Sequence, residues 1–324
     1  MRQSLRKGRT GYIMNGLELS KLFYIEHGES MIHREFPYLE GLVAVGLFGS
    51  GSECMGYDDD ISRDHDFEPG FCILVPDSVS DRDFFELDKA YRRLPREFKG
   101  FTRNVDSPVG GSRHGVFRTS DFFSGRVGAP DGVLQLKEWF LVPEQGLLEA
   151  TNGEIFRDDS GDVRAIRERL SYYPEDVRLK KLAGNLLVMG QAGQYNYPRC
   201  ISRNDTADAQ LSINEFVKSA INSIFLVNKR YCPYYKWTFR ALRDLHALSG
   251  LGDDLEYLIS SPNDEENAER KLYVIEHICR DIFGEMRMQR ITNFNSNEAE
   301  GHAYSVNNMI KDANIRNLHI LYGI

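Results

Sequence analysis

Two carboxylates stand two residues apart at Asp64 and Asp66, in a segment that leads into the apolar run Phe71-Cys72-Ile73-Leu74-Val75. On an extended strand, residues i and i+2 point to one face, so the two charges repel at close range. A divalent cation, a shared proton or a nearby base relieves that repulsion. Mg2+ prefers carboxylate oxygens and keeps part of its water shell, which leaves positions open for phosphate oxygens. Thirteen residues separate this pair from Gly49-Ser50, which opens the turn Gly49-Ser50-Gly51-Ser52-Glu53. Such a turn offers backbone N–H groups and hydroxyls, and Ser50 or Ser52 is placed to cap a short helix behind it. That makes a ready anion site. A phosphate cradle and a metal-binding pair are the minimum equipment for moving a nucleotidyl group. Glu53 and Arg63 are further candidates in the same segment. His65 points away from the pair by strand alternation and reads as loop support. No Gly-Lys-Ser/Thr follows the turn, no G-x-S-x-G frames a serine, and the acidic loop lacks the glycine and glutamate of an EF-hand.

Those residues need a sheet to hold them. Apolar residues from Gly16 to about Tyr38 recur at helical spacing. Leu42–Phe48 is a continuous apolar run ended by glycine and serine, which reads as a buried central strand, and Phe71–Val75 reads as a second one, stopped by Pro76. Ser80-Asp81 caps a helix to about Leu94. Gly115–Thr119 forms a third strand, Val133–Leu141 and Glu144–Ala150 form helices, and Glu154–Phe156 forms a small strand. After Val163, helical periodicity dominates, in Leu179–Met189, Ile213–Tyr231, Trp237–Leu248 and Lys271–Met288. The expected fold class is α+β, a mixed sheet with flanking helices followed by a helical bundle. The expected division is a leader over 1–15, a catalytic domain over 16–160 and a helical domain over 161–324, cut at the polar break Asp158–Asp162. The leader is basic but lacks an apolar core. It reads equally as a frayed end or a remnant, with Met14 as an alternative start.

The chain has 324 residues, 41% of them hydrophobic and 27% charged, with a net charge of −8. This suits a folded chain of about two domains. No stretch approaches a membrane span, so no membrane partner is expected. The acidic balance disfavours a duplex-DNA partner but not a small anion, because a bound cation supplies positive charge locally. Five cysteines without C-x-x-C spacing point to a reducing cytoplasm.

The pattern of apolar residue, Gly-Ser, spacer and Asp-x-Asp resembles the polymerase-beta-type nucleotidyltransferase superfamily. Closer still is the likeness to an uncharacterised domain-of-unknown-function family of nucleotidyltransferase-like bacterial proteins. It is carried by GLFGSGSECMGYDDDISRDHDFEPGF (Gly46–Phe71), WFLVPEQGLLEATNGEIFRD (Trp139–Asp158) and KRYCPYYKW (Lys229–Trp237). Kanamycin-type antibiotic nucleotidyltransferases, with a small catalytic sheet before a helical domain, are more distant. The resemblance implies that Gly49, Ser50 and Ser52 hold a nucleoside triphosphate, ATP first among them. It implies that Asp64 and Asp66 bind Mg2+, or Mn2+ in its place, and that Lys236 and Tyr234 contact the nucleotide. Transfer would go to an acceptor the sequence does not name, with pyrophosphate leaving. The superfamily carries a third carboxylate on a later strand. Here the strand Gly115–Thr119 has none; Asp121 follows it closely, and Glu138, Glu149 and Asp158 are more distant.

That gap keeps a second expectation alive, a nucleotide-binding regulator or interaction protein with the same fold and no turnover. A third rests on Arg240 and His246, which match the loose Arg-x(4–6)-His signature of HEPN ribonuclease-like helical domains. Six helical steps rotate roughly 240°, which separates the two side chains on a regular helix. Arg113-His114 reads either as a substrate-steering pair or as a turn before a strand. A homodimer or a protein partner stays open.

Overall fold

The computed structural model describes residues 14–59, 67–103 and 113–324. It is an α+β structure that divides into two compact units. Unit 1 takes the described residues up to Gly125 together with Glu149–Glu168; unit 2 takes Arg126–Leu148 and Arg169–Ile324. The single cut expected near residue 160 is therefore interleaved. Arg126–Leu148 cluster with the later residues, and the last crossing lies at Glu168.

Unit 1 opens with α1 (Gly16–Phe23), a π-helical turn (Tyr24–Gly28) and α2 (Glu29–Glu35). Then follow β1 (Ala44–Leu47), β2 (Cys72–Val75), α3 (Asp81–Arg92), a hairpin of β3 (Glu97–Phe98) and β4 (Phe101–Thr102), and β5 (Gly115–Arg118). Helices α4 (Thr119–Val127) and α5 (Glu144–Thr151), strand β6 (Glu154–Asp158) and α6 (Asp162–Arg169) complete the first half of the chain. The helix read over Val133–Leu141 is reduced to a single 3-10 turn at Glu138–Phe140. The β3–β4 hairpin has no expected counterpart; two-residue strands are too short to show a period.

The sheet order is β5-β2-β1-β6. β1 is antiparallel to both β2 and β6, and β2 is parallel to β5. All four residues of β1 and all four of β2 are buried, which is why these strands read as unbroken apolar runs. One core cluster joins Val45, Ile73 and Val75 to Leu19, Phe23 and Ile32 of the first helices and Leu87 and Tyr91 of α3.

Unit 2 is helical after Arg169. It holds α7 (Glu175–Met189), a π-helical segment (Gly190–Asn196), α8 (Tyr197–Ser202), α9 (Thr206–Val227), α10 (Thr238–Arg243) and α11 (Gly252–Ser260). It ends with α12 (Glu265–Met288), α13 (Ala299–Asn308) and α14 (Ala313–Arg316). α9 stops short of the expected Tyr231, because Lys229 takes the left-handed conformation at φ 52°. No helix among the described residues is long and apolar enough to cross a membrane.

His302 of α13 is buried. Its Nε2–H donates to the Ser296 carbonyl at 2.9 Å, so its Nδ1 accepts from the Thr292 hydroxyl at 2.9 Å. Burial lowers its pKa below the ordinary 6.5. The unfolded chain then binds a proton that the folded chain refuses, and stability falls as pH drops below 6.5 toward the folded value. The expected result is a urea midpoint lower at pH 5.5 than at 7.5, with part of that slope removed in His302→Gln. An unchanged slope in the variant counts against the assignment.

Candidate functional site

Strand register gathers one end of the sheet. Gly46 of β1 pairs with Cys72 of β2, Cys72 pairs with Gly115 of β5, and Leu47 pairs with Glu154 of β6. The chain leaving β1 and the chains entering β2, β5 and β6 therefore meet there. They bring Phe48-Gly49-Ser50, Glu68, Arg113-His114 and Asn152-Gly153 to the same end.

The Gly49 turn is tied to the entry of β6. Gly49 N–H donates to Asn152 Oδ1 at 2.9 Å, and Asn152 Nδ2 donates back to the Gly49 carbonyl at 2.8 Å. The Gly49 amide is thus committed to a side chain, and its role is to shape the turn. Gly153 N–H donates to the Cys54 carbonyl at 2.9 Å. Asn152 is fixed in turn by Arg167, whose Nη2 donates to the carbonyls of Thr151 and Asn152. The Arg167 guanidinium lies 5.3 Å from the Phe48 ring centre, and burial pushes its pKa down to about 10. Asn152, Gly153 and Arg167 escaped the sequence reading; the Asn-Gly turn pair ahead of a strand was the available signal.

The expected helix N-terminus behind the turn is only a three-residue 3-10 turn, Glu53–Met55, and Ser52 makes no side-chain cap to it. Three residues carry little macrodipole, so the anion-binding power expected from that source is small. What the turn does present is a carboxylate. Glu53 is buried, its Oε1 lies 3.5 Å from Arg113 Nη1, and among the described residues that oxygen has no hydrogen-bond donor. It crowds Gly51, where a Cβ would fall 2.5 Å from Glu53 Oε1. The buried thiols of Cys54 and Cys72 donate to the carbonyls of Ser50 and Phe48. Burial, with Glu53 adding to it, raises the Cys54 pKa well above the ordinary range, so this thiol stays protonated.

A second feature of this end is a cleft of about 240 Å³ lined by Glu68, Tyr91, Arg103 and His114, among others. His114 is buried, with Nδ1 3.3 Å from Glu68 Oε1. Tyr91 accepts from Phe71 N–H at 3.2 Å, and burial pushes its phenol up to about 12.

Asp64, Asp66, Arg63 and His65 lie outside the described residues. Asp121 is exposed in the first turn of α4, which starts at the C-terminal end of β5, opposite the end that carries Gly49. Asp158 sits at that opposite end too and accepts from the N–H groups of Gly161 and Arg164, a capping role at α6. Glu138 accepts from Gln135 N–H at 2.7 Å in unit 2. Glu149 is half-buried in unit 1, close enough to Cys54 to act on its thiol. Lys236 and Tyr234 belong to unit 2, on an exposed loop. His246 lies beyond the last residue of α10, Arg243, so Arg240 and His246 do not share a helix. Among the described residues, no cluster of three His, Cys, Asp or Glu side chains could hold a metal ion.

A family profile described as a domain of unknown function (DUF4037) matches residues 139–238. That span holds Asn152, Gly153 and Arg167, together with the motifs Trp139–Asp158 and Lys229–Trp237. Inside unit 2 the two motifs touch: Glu144 accepts from Cys232 N–H at 3.0 Å, and Gln145 accepts from Tyr234 N–H at 3.2 Å. No curated protein and no solved structure matches the chain.

Proposed function

We propose that this protein is a Mg2+-dependent nucleotidyltransferase that moves a nucleoside monophosphate from ATP or another nucleoside triphosphate to an acceptor hydroxyl or amine. The supporting observation is the strand arrangement. The Gly49-Ser50 turn leaves β1 at the end where β2 and β5 begin, and Asp64 and Asp66 precede β2 in sequence. In the reaction the acceptor atom bonds to the α-phosphorus and gives up its proton to water, the bond from that phosphorus to the bridging oxygen breaks, and pyrophosphate leaves. Asp64 and Asp66 would hold the cation. Glu53 adds a buried carboxylate at this end of the sheet, paired with Arg113 and with no hydrogen-bond donor to its Oε1 among the described residues. The ion supplies charge neutralisation to the triphosphate when bound. Ser50, exposed beside the buried Gly49, offers a hydroxyl to phosphate, and Asn152 keeps the turn in shape. Small molecules, protein side chains and RNA ends are the acceptor classes to be sorted.

The test is label transfer from α-labelled triphosphates in the presence of Mg2+ and cell extract. Transfer is expected with the wild-type chain and is expected to fall to background in Asp64→Asn and Asp66→Asn. Transfer that survives in the double variant removes these residues from the mechanism.

One observation favours a second reading, nucleotide binding without turnover. β5 carries no carboxylate, and Asp121 follows its far end. Saturable, Mg2+-dependent binding by calorimetry, with no pyrophosphate release for any acceptor class, would select it.

A further inference from the structure

The loop between α9 and α10 combines a pinned backbone with exposed rings. Tyr231 is buried and its hydroxyl donates to the Leu170 carbonyl at 2.8 Å. Glu144 and Gln145 take the N–H groups of Cys232 and Tyr234, the Thr238 hydroxyl donates to the Pro233 carbonyl at 3.1 Å, and Trp237 N–H donates to the Tyr234 carbonyl at 2.8 Å. On this fixed frame Tyr234 is 50% exposed and Tyr235 77% exposed, with their ring centres 4.1 Å apart. Lys236 lies over the Trp237 ring at 5.1 Å and Arg240 at 5.7 Å, both on exposed residues. Arg230, also exposed, starts the loop.

Large aromatic rings held in water by a braced backbone gain nothing from the core. Ring faces interleaved with cations are the combination that binds unpaired bases: the π-faces stack on bases of any sequence, and the cations follow the phosphates. A duplex hides its base faces, and an acidic peptide would use the cations while leaving the rings idle. The local charge is also opposite to that of the chain as a whole, which is −8.

We propose that this loop is a platform for single-stranded nucleic acid. Unpaired bases stack on Tyr234 and Tyr235, and Lys236 and Arg230 meet the backbone. This surface lies wholly in unit 2 and does not rest on nucleotidyl transfer. Its test therefore needs neither triphosphate nor Mg2+.

The experiment is fluorescence anisotropy of the full chain with fluorescein-labelled 12-nucleotide oligouridylate and oligothymidylate at low salt. Duplex and oligoglutamate probes of the same length serve as comparisons. Binding of a single strand is expected with a Kd on the order of 10 µM. A preference for one of the two strands would assign the platform to RNA or to DNA. Tyr234→Ala combined with Tyr235→Ala should weaken binding by about tenfold or more, with the circular dichroism spectrum unchanged. Lys236→Gln should lower the slope of log affinity against log salt by about 0.7. Four results would each overturn the proposal: no binding up to roughly 1 mM, a value weaker than ordinary non-specific affinity; tyrosine variants that bind like wild type; a duplex bound as tightly as the single strand; or oligoglutamate bound as tightly, which would indicate an acidic protein segment.

Discussion

Gly153→Ala is expected to destabilise unit 1 by about 2–5 kcal/mol, from left-handed strain and overpacking together. Gly153 has φ +66°, and an added Cβ would lie 1.9 Å from the Leu47 carbonyl oxygen and 3.1 Å from the Phe48 Cα. Those are backbone atoms of β1 and the chain leaving it, so no side-chain rotation makes room. Relief requires the entry of β6 to move away from β1. That movement would pull Asn152 from Gly49 and Gly153 from Cys54 at the same time. Gly100→Ala is the control. It has φ +86° with no atom of the described residues within 4 Å of the added Cβ, so the strain of about 1–2 kcal/mol is what applies. Alkylation rates of the buried Cys54 and Cys72, read by peptide mass, report opening of this unit. Equal rates in Gly153→Ala and Gly100→Ala would show that the close approach has no energetic consequence.

Lys180→Met is expected to cost unit 2 about 2–5 kcal/mol by orphaning acceptors inside the bundle. Lys180 is fully buried in α7, and its ammonium donates to Asn307 Oδ1 at 2.8 Å and to the carbonyls of Arg316 and Leu318 at 3.1 and 2.7 Å. Methionine is similar in size, so the change removes charge and donors more than volume. Arg316 keeps a donor in Asn307 Nδ2, whereas no other donor to the Leu318 carbonyl or to Asn307 Oδ1 is seen among the described residues. Both tryptophans, Trp139 and Trp237, lie in unit 2, so their fluorescence during urea unfolding reads this unit. A loss under about 1 kcal/mol, the worth of one ordinary hydrogen bond, would mean that the acceptors find water without cost.

The parts of the fold that sequence made legible are those whose burial is one-sided or complete. β1 and β2 are buried throughout and read as apolar runs; α3, α9 and α12 show their periods over long stretches. The β3–β4 hairpin, α13 and α14 are too short or too polar to announce themselves. At the site, the Gly49-Ser50 turn was legible because glycine is needed at φ 113° and 126° for Gly49 and Gly51. The partners of that turn were not, because Asn152 and Arg167 lie 103 and more residues away and only strand register brings them there.

The amino-acid sequence by itself determined that this chain folds as α+β, that a glycine-serine turn follows a buried strand, and that two aspartates precede the next. Local propensity and hydrophobic period are sufficient for each of these. The tertiary structure alone decided which end of the sheet collects the polar groups, because parallel or antiparallel pairing reverses the end at which each strand enters. Pairing moved Asp121 and Asp158 away from the Gly49 end and brought Glu68, Arg113, His114 and Asn152 to it. It also converted Gly49 from an expected phosphate donor into a hydrogen-bonded hinge of the turn, since an amide already bonded to a side chain has no proton left to offer.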